Sequence, residues 1–279
     1  MDAGAAEREF EFSARDFERV RKLIRARAGI ALNDNKRNMV YSRLSRRLRA
    51  RGLPGFDAYL GELEAGESAE HEAFVNALTT NLTAFWREPH HFPVLAAHLQ
   101  RRAAAGGRID LWCCAASSGE EPYTIAITAL QAGVGAQVRV LATDIDTGVL
   151  DTARRGVYAA ERVAAVDAAT LRRHFLRGAG ANAGQVRVRP EVAALVEFRR
   201  LNLLEARWPL RGGFSAIFCR NVMIYFDRDT QYAVLRRLAA LLEPGGLLFA
   251  GHSENFALAK DYLRACGRTV YERLPDAVL

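Results

Sequence analysis

No stretch of this chain approaches the roughly 18 consecutive apolar residues that a membrane-spanning helix needs, so a soluble protein is expected. The first twelve residues, Met1 to Phe12, are acidic and lack the apolar core of a secretory signal, which points to the cytoplasm. The 279 residues contain four cysteines, Cys113, Cys114, Cys219 and Cys266. None form a CxxC pair and two are adjacent in an apolar run, so a disulfide framework is excluded and buried free thiols are expected. There is no HExxH pair, and His90, His91 and His98 have no spacing suited to converging metal ligands; packing and capping are the expected roles, and no metal. There is no GxGxxG, which disfavours a pyrophosphate-binding turn. Internal repeats are absent as well.

What is present is an ordinary globular composition, 50% hydrophobic and 25% charged, with the charge unevenly placed. Of the formal net charge of +7, the segment from Arg15 to Arg51 holds thirteen basic residues against Asp16, Glu18 and Asp34. That leaves the rest of the chain slightly acidic. Such a segment is suited to meeting an acidic partner, and Arg43, Arg46, Arg47, Arg49 and Arg51 crowd onto one helix.

The periodicity divides the chain in two. Residues 1–88 read as a basic, all-helical domain. Ser13 caps a helix whose apolar face is Phe17, Val20, Leu23 and Ile24, closed by Gly29. A second helix from about Asn35 to Arg51 carries Met39, Val40, Leu44 and Leu48 and stops at Gly52, and two shorter ones fall near Phe56–Leu63 and Glu70–Leu78. Residues 89–108 read as a linking helix. From 109 to 279 strands alternate with helices, as in a doubly wound α/β sheet. The expected strands are Ile109–Cys114, Val138–Thr143, Ala216–Cys219 and Leu247–Ala250, with Thr269–Leu274 as an antiparallel edge. The expected helices are Tyr123–Leu130, Thr147–Arg155 and Thr230–Leu242. A helix Ala168–Leu176, then Gln185–Arg189 and a returning strand Ala194–Phe198, make a β-hairpin subdomain over about 177–200, its turn rich in glycine (Gly178, Gly180, Gly184).

In such sheets the ligand lies at the carboxyl ends of the strands. The first strand runs into the small-residue turn Ala115–Gly119, which opens a helix beginning Glu120-Glu121-Pro122. Two carboxylates at a helix start repel phosphate and suit a cationic cofactor such as S-adenosylmethionine. Asp144 ends the second strand, where a carboxylate commonly accepts ribose hydroxyls, although capping by Asp146 explains the same residues. Asn202 and Leu203 offer a polar group and an amide for a base, and Cys219–Phe226 points polar groups and a phenol into the same cleft.

Taken together, Thr80–Glu88, Ser118–Tyr123, Ala142–Asp146, Cys219–Phe226 and Gly251–Glu254 resemble the CheR family of chemotaxis receptor methyltransferases over nearly the whole chain. The resemblance implies a class I methyltransferase fold that forms γ-methyl esters on receptor glutamates in sensory adaptation, converting S-adenosyl-L-methionine to S-adenosyl-L-homocysteine. It implies that Asn81, Thr83, Arg87, Glu121, Asp144, Asn202, Leu203, Arg220 and Asn221 hold the cofactor. Arg87 also lies near the acceptor, and Tyr225 near the transferred methyl. The expected partner is the cytoplasmic helical region of a chemoreceptor, docked by the basic helix, with a receptor C-terminal peptide held by the β subdomain or, equally, a hairpin that only covers the cleft. Trp86, where the family usually has phenylalanine, and Cys113-Cys114 depart from the pattern without touching a polar role. A nucleic-acid methyltransferase is disfavoured because no strand ends in an Asn/Asp-Pro-Pro-Tyr run and the basic patch lacks interleaved aromatics. A non-catalytic binding module is disfavoured because every matched position keeps a suitable polar residue.

Overall fold

The computed structural model describes residues 9–66 and 69–275, and the chain divides into two compact units, Met1–Thr80 and Asn81–Leu279. The first unit holds four helices among its described residues: α1 (Ala14–Ala28), α2 (Arg37–Arg51), α3 (Phe56–Glu64) and α4 (Glu70–Leu78). Ser13 and Asp16 form a reciprocal capping box at the start of α1, which satisfies amides that the first turn cannot pair internally. Gly29 and Gly52 close α1 and α2 in the left-handed region, with φ of 69° and 63°. Phe17, Val20, Ile24, Val40, Leu44, Leu48, Leu60 and Phe74 are buried, so the apolar stripes read from the sequence do build the core. Met39 and Leu23 sit at its margin.

The basic helix α2 is more occupied within its own unit than the sequence implied. Arg47 grips the buried Glu70 with two bonds of 2.8 Å, and Tyr59 donates to the same carboxylate at 2.9 Å. Arg43 donates to the Thr79 carbonyl at 2.6 Å, Arg49 pairs with Glu9 and Arg51 with Glu62. Of the five arginines, Arg46 alone is exposed without a partner among the described residues.

The second unit opens with α5 (His91–Ala104) and continues through β1 (Ile109–Cys113), α6 (Glu120–Gln131), β2 (Val138–Asp144), α7 (Thr147–Arg155), β3 (Val157–Ala159), α8 (Ala168–His174), β4 (Phe175–Arg177) and β5 (Gln185–Val188). Then follow α9 (Pro190–Ala193), β6 (Val196–Arg200), β7 (Phe214–Cys219), α10 (Arg228–Leu241), β8 (Leu242–Ala250), β9 (Leu263–Gly267) and β10 (Val270–Arg273). The main sheet has the order β6-β2-β1-β7-β8-β10-β9. Its first five strands are parallel, and β10 and β9 are antiparallel. Apolar clusters cover both faces: Leu111, Val140, Phe218 and Phe249 on one, Trp112, Ile217, Leu235 and Leu248 on the other. Burial on both faces is why these strands read as unbroken apolar runs.

Three features differ from the sequence reading. The strand after Thr269 is not the edge; β9 pairs with its far side and takes that place. Only Leu263 of β9 is buried, which leaves a pattern too polar to read as a strand. The segment around Ala194–Phe198 does not return onto β5. Pro190 starts a helical turn that leads the chain away, and Val196–Arg200 joins β2 in parallel register, from Val140 opposite Val196 to Asp144 opposite Arg200. The β subdomain is therefore a separate sheet of order β3-β5-β4, assembled from residues 157–188. Finally, Cys266 is exposed, whereas Cys113, Cys114 and Cys219 are buried free thiols.

Candidate functional site

The carboxyl ends of β1, β2, β6, β7 and β8 gather the residues singled out in the sequence, and the segment Asn81–Glu88 is bonded to them. β1 leads into the turn Ala115–Gly119, where Ser117 and Gly119 have φ of 48° and 100°. A Cβ at Gly119 would lie 2.7 Å from the Tyr158 hydroxyl and 2.9 Å from the Ala153 side chain, so both conformation and space require glycine. Tyr158, from β3 of the subdomain, donates to the Ser118 carbonyl at 2.8 Å and fixes this turn from outside.

Asp144 ends β2 almost fully buried. Its carboxylate accepts the Ser117 amide at 2.8 Å and the Asp146 amide at 3.0 Å. Among the described residues no cation pairs with it. Burial therefore dominates and pushes its carboxyl up to about 6, against the pull of those amides. A buried carboxylate with spare lone pairs and no counter-ion is matched to hydroxyl donors and a nearby positive charge, which a ribose and a sulfonium supply. Asp146 caps α7 through the Gly148 and Val149 amides and accepts Asn81 Nδ2 at 2.7 Å. The capping reading of this strand end therefore holds for Asp146, and Asp144 takes no part in the cap.

The two glutamates that open α6 are each neutralised. Glu120 is fully buried and ion-paired with Arg162, and Glu121 with Arg220. The expected repulsion of phosphate by this helix start thus loses most of its force. The site nevertheless stays acidic, because Glu88 and Glu121 share the buried guanidinium of Arg220, and no cation pairs with Asp144 among the described residues. The Arg220 side chain donates to Glu121 and to the Arg87 carbonyl at 2.6 Å, and its Nη2 stands 3.4 Å from Glu88 Oε2. Burial opposes ionisation of Glu88, but Arg220 and the His252 amide outweigh it and hold its carboxyl down at about 2.

Arg87 is half-buried; its Nη1 donates to the Leu82 carbonyl at 2.6 Å, and no carboxylate pairs with it among the described residues. Thr83 is buried, with its carbonyl taken by Arg162. Asn202 Oδ1 accepts the Leu204 amide at 3.0 Å, and Leu203 is buried in the turn after β6. Asn221 sits in the left-handed region with φ of 58°, and Tyr225 lies half-buried in the next 3-10 turn. Four residues here were not assigned a role from sequence: Ser117, Arg162, Glu88 and Glu254. Their side chains act on groups distant along the chain, a signal that spacing does not carry. Glu88, His90 and His91 place ligand atoms within 4.8 Å of one another, but the fixed cation of Arg220 beside Glu88 opposes a metal ion. Buried His91, 2.8 Å from Thr269 Oγ1, and His98, 2.9 Å from Ser215 Oγ, are packing residues.

Comparison with known proteins agrees with this arrangement. Residues 15–79 match the all-alpha domain of CheR methyltransferases and residues 81–271 match their SAM binding domain. The "Chemotaxis protein methyltransferase 2" of Pseudomonas aeruginosa is 52% identical over 265 residues, 94% of each chain. The "Chemotaxis protein methyltransferase" of Salmonella typhimurium is 55% identical over 93% of this chain and 90% of its own. That of Escherichia coli is 53% identical over 93% and 91%. With both of its units matched and more than half of its residues shared with such relatives, the chain belongs to the CheR family of S-adenosylmethionine-dependent methyltransferases.

Proposed function

We propose that this protein methylates glutamate side chains on the cytoplasmic helices of a chemoreceptor, forming γ-methyl esters. The observation that carries the acceptor class is Arg87. It is a guanidinium with no acidic partner among the described residues, able to receive a carboxylate in the planar, two-pronged manner that arginine favours. S-Adenosylmethionine, when bound, supplies an electrophilic methyl group on a cationic sulfur. Asp144 would accept the ribose hydroxyls, and Asn81, Thr83, Asn202, Leu203, Arg220 and Asn221 would frame the rest of the cofactor. An ionised glutamate is already a nucleophile at neutral pH, so no general base is required. What remains for the protein is alignment, and placing two reactants in line is worth several kcal/mol. Arg87 orients the acceptor oxygen, and the Tyr225 ring shapes the space around the methyl. Glu121 would contact the cofactor from the start of α6, and its carboxylate also pairs with Arg220.

Asp144 sets a pH dependence. Its carboxyl, pushed up to about 6, accepts both ribose hydroxyls and attracts a cation fully only when ionised. Cofactor affinity is then full above that value and falls about tenfold per pH unit below it. Calorimetry between pH 5 and 8 should show this limb, and Asp144→Ala should weaken binding by about 2 kcal/mol at neutral pH. Affinity that is flat with pH and unchanged in the variant would remove Asp144 from the site.

The acceptor is tested with methyl-labelled cofactor and receptor. Carboxyl esters release labelled methanol in base, whereas N-methyl groups do not. Arg87→Ala should cut turnover on receptor about a hundredfold or more while most cofactor affinity survives, a loss in the range of removing a charged contact to the reacting group. A collapse of cofactor affinity instead would make Arg87 mainly a cofactor ligand.

Arg46 leads the docking face of α2, with Arg49 and Arg51 beside it in exposed pairs that a stronger acidic partner can displace. Arg43 and Arg47 hold the helical unit together and support that face from within. Activity on receptor at saturating cofactor should therefore drop steeply with ionic strength, and Arg46→Glu should slow it further. Equal rates in low and high salt would remove the docking role.

In the small sheet β3-β5-β4, strand β4 lies at an edge and can add an extended receptor C-terminal peptide as a further strand. Gly178, Gly180 and Gly184 shape the β4–β5 connection. Gly180 and Gly184 have positive φ, and a Cβ at Gly178 would lie 2.0 Å from the Asn182 carbonyl oxygen. Titration with receptor C-terminal pentapeptides should saturate at micromolar concentration and fail when the Gly178–Gly184 loop is replaced. No binding of any such peptide would leave the subdomain only its part in bracing the Ser117–Gly119 turn.

A further inference from the structure

The motif Gly251-His252-Ser253-Glu254 follows β8, yet none of its side chains has a part in the site as described above. Glu254 is 6% exposed. Its Oε1 accepts the amides of Val222 at 3.0 Å and Met223 at 2.8 Å. Its Oε2 accepts those of Asn221 at 2.9 Å and Gly251 at 2.6 Å. One carboxylate thus satisfies four backbone donors, three of them successive residues of the turn after β7. A carboxylate accepts up to about four such bonds, so this one is saturated by main chain and has no capacity left for a ligand.

Two further observations concern the same turn. Asn221 holds a left-handed φ of 58°, a conformation that costs most side chains about 1 kcal/mol and persists only where its surroundings enforce it. Gly251 packs so closely on it that a Cβ would fall 2.4 Å from Asn221 Nδ2 and 2.9 Å from the Asn221 amide nitrogen. The end of β8 therefore presses on the end of β7 through a glycine and grips it through a carboxylate. The residue immediately before the grip is Arg220, which carries Glu121, Glu88 and the Arg87 carbonyl.

We infer that Glu254, with Gly251, is the positioning residue of the cofactor site: it fixes the Arg220–Met223 turn so that Arg220 and Asn221 face the bound cofactor. Glu254 touches neither cofactor nor acceptor. It acts through main chain, as an anion that four amides converge on. Glutamine in its place keeps the volume but sets an NH2 donor against two of the four N–H groups, so half of the clasp becomes repulsive.

This inference rests on the reading that the turn lines the cofactor site, and the experiment separates the two. S-Adenosylmethionine and S-adenosylhomocysteine affinities are measured by calorimetry for Glu254→Gln, Glu254→Asp, Gly251→Ala and Asp144→Ala, each well below its own melting midpoint. Glu254→Gln is expected to weaken both ligands about tenfold or more, the scale of losing hydrogen bonds to a charged group. Glu254→Asp, which keeps the charge, should recover part of the loss. Binding of a receptor peptide to the β subdomain, which Arg220 does not touch, should not move. Gly251→Ala should show the same cofactor-side signature and serves as the test if Glu254→Gln does not fold. Wild-type cofactor affinity in Glu254→Gln and Gly251→Ala, with Asp144→Ala weakened, overturns the inference alone, even if melting temperatures fall. Wild-type affinity in all of them, Asp144→Ala included, overturns the reading of the site and the inference with it.

Discussion

A guanidinium taken out of water is tolerable only where carboxylates and carbonyls stand against it, and Arg220 shows what that demand does to a structure. Its side chain is almost fully inaccessible and reaches three separate pieces of chain: Glu121 at the start of α6, Glu88, and the carbonyl of Arg87. Glu88 and Glu121 would be unfavourable in the same interior without it, and Arg220 together with the His252 amide holds the Glu88 carboxyl down. The result is mutual dependence. The segment that carries Arg87, the start of α6 and the end of β7 are held by a single charge. Removing any one partner leaves another buried and unpaired, which costs more than the contact itself contributes when intact.

The fold was legible where burial imposed a period. The four helices before Thr80 and the strands and helices from Ile109 to Arg155 declared themselves because one face, or both, had to be apolar over several turns or pleats. Legibility failed for elements too short or too exposed for a period to develop. Strands β3 and β4 have three residues each, and β9 buries one side chain of five. With β3 and β4 invisible, the clear alternation of β5 was matched to its nearest strand-like neighbour in sequence, although that neighbour pairs with β2. Pairing partners are a long-range property, and local pattern does not encode them.

The site was legible as a set of residue types at strand ends, since a doubly wound sheet brings those ends together whatever the loops do. What each residue does there was less visible. Asp144 and Asp146 differ by two positions and share a residue type, yet the first is buried with amide donors only and the second caps a helix and binds Asn81. Glu120 and Glu121 read as free negative charge until their partners Arg162 and Arg220 are placed, one 42 and one 99 residues away. Likewise, four of the five basic residues assigned to docking have partners within their own unit. A charge counted along a sequence says nothing of whether it has been cancelled in space.

Electrostatics also explains how one site can serve two charged reactants without ordering them against each other. The acidic groups Glu121 and Asp144 lie deep, where low exposure lengthens the reach of each charge; Arg87, which has no acidic partner among the described residues, lies at half-buried depth. On the proposed reading a cationic cofactor would be drawn inward, and an anionic acceptor would meet Arg87 further out. The opposite placement would set a carboxylate acceptor among carboxylates, raise its proton affinity and remove the anion that transfer would require. The same depth ordering accounts for the main-chain character of the supports beneath it. Backbone amides fix Asp144 and Glu254 without adding positive charge, so the interior stays acidic enough for a sulfonium while its geometry remains set.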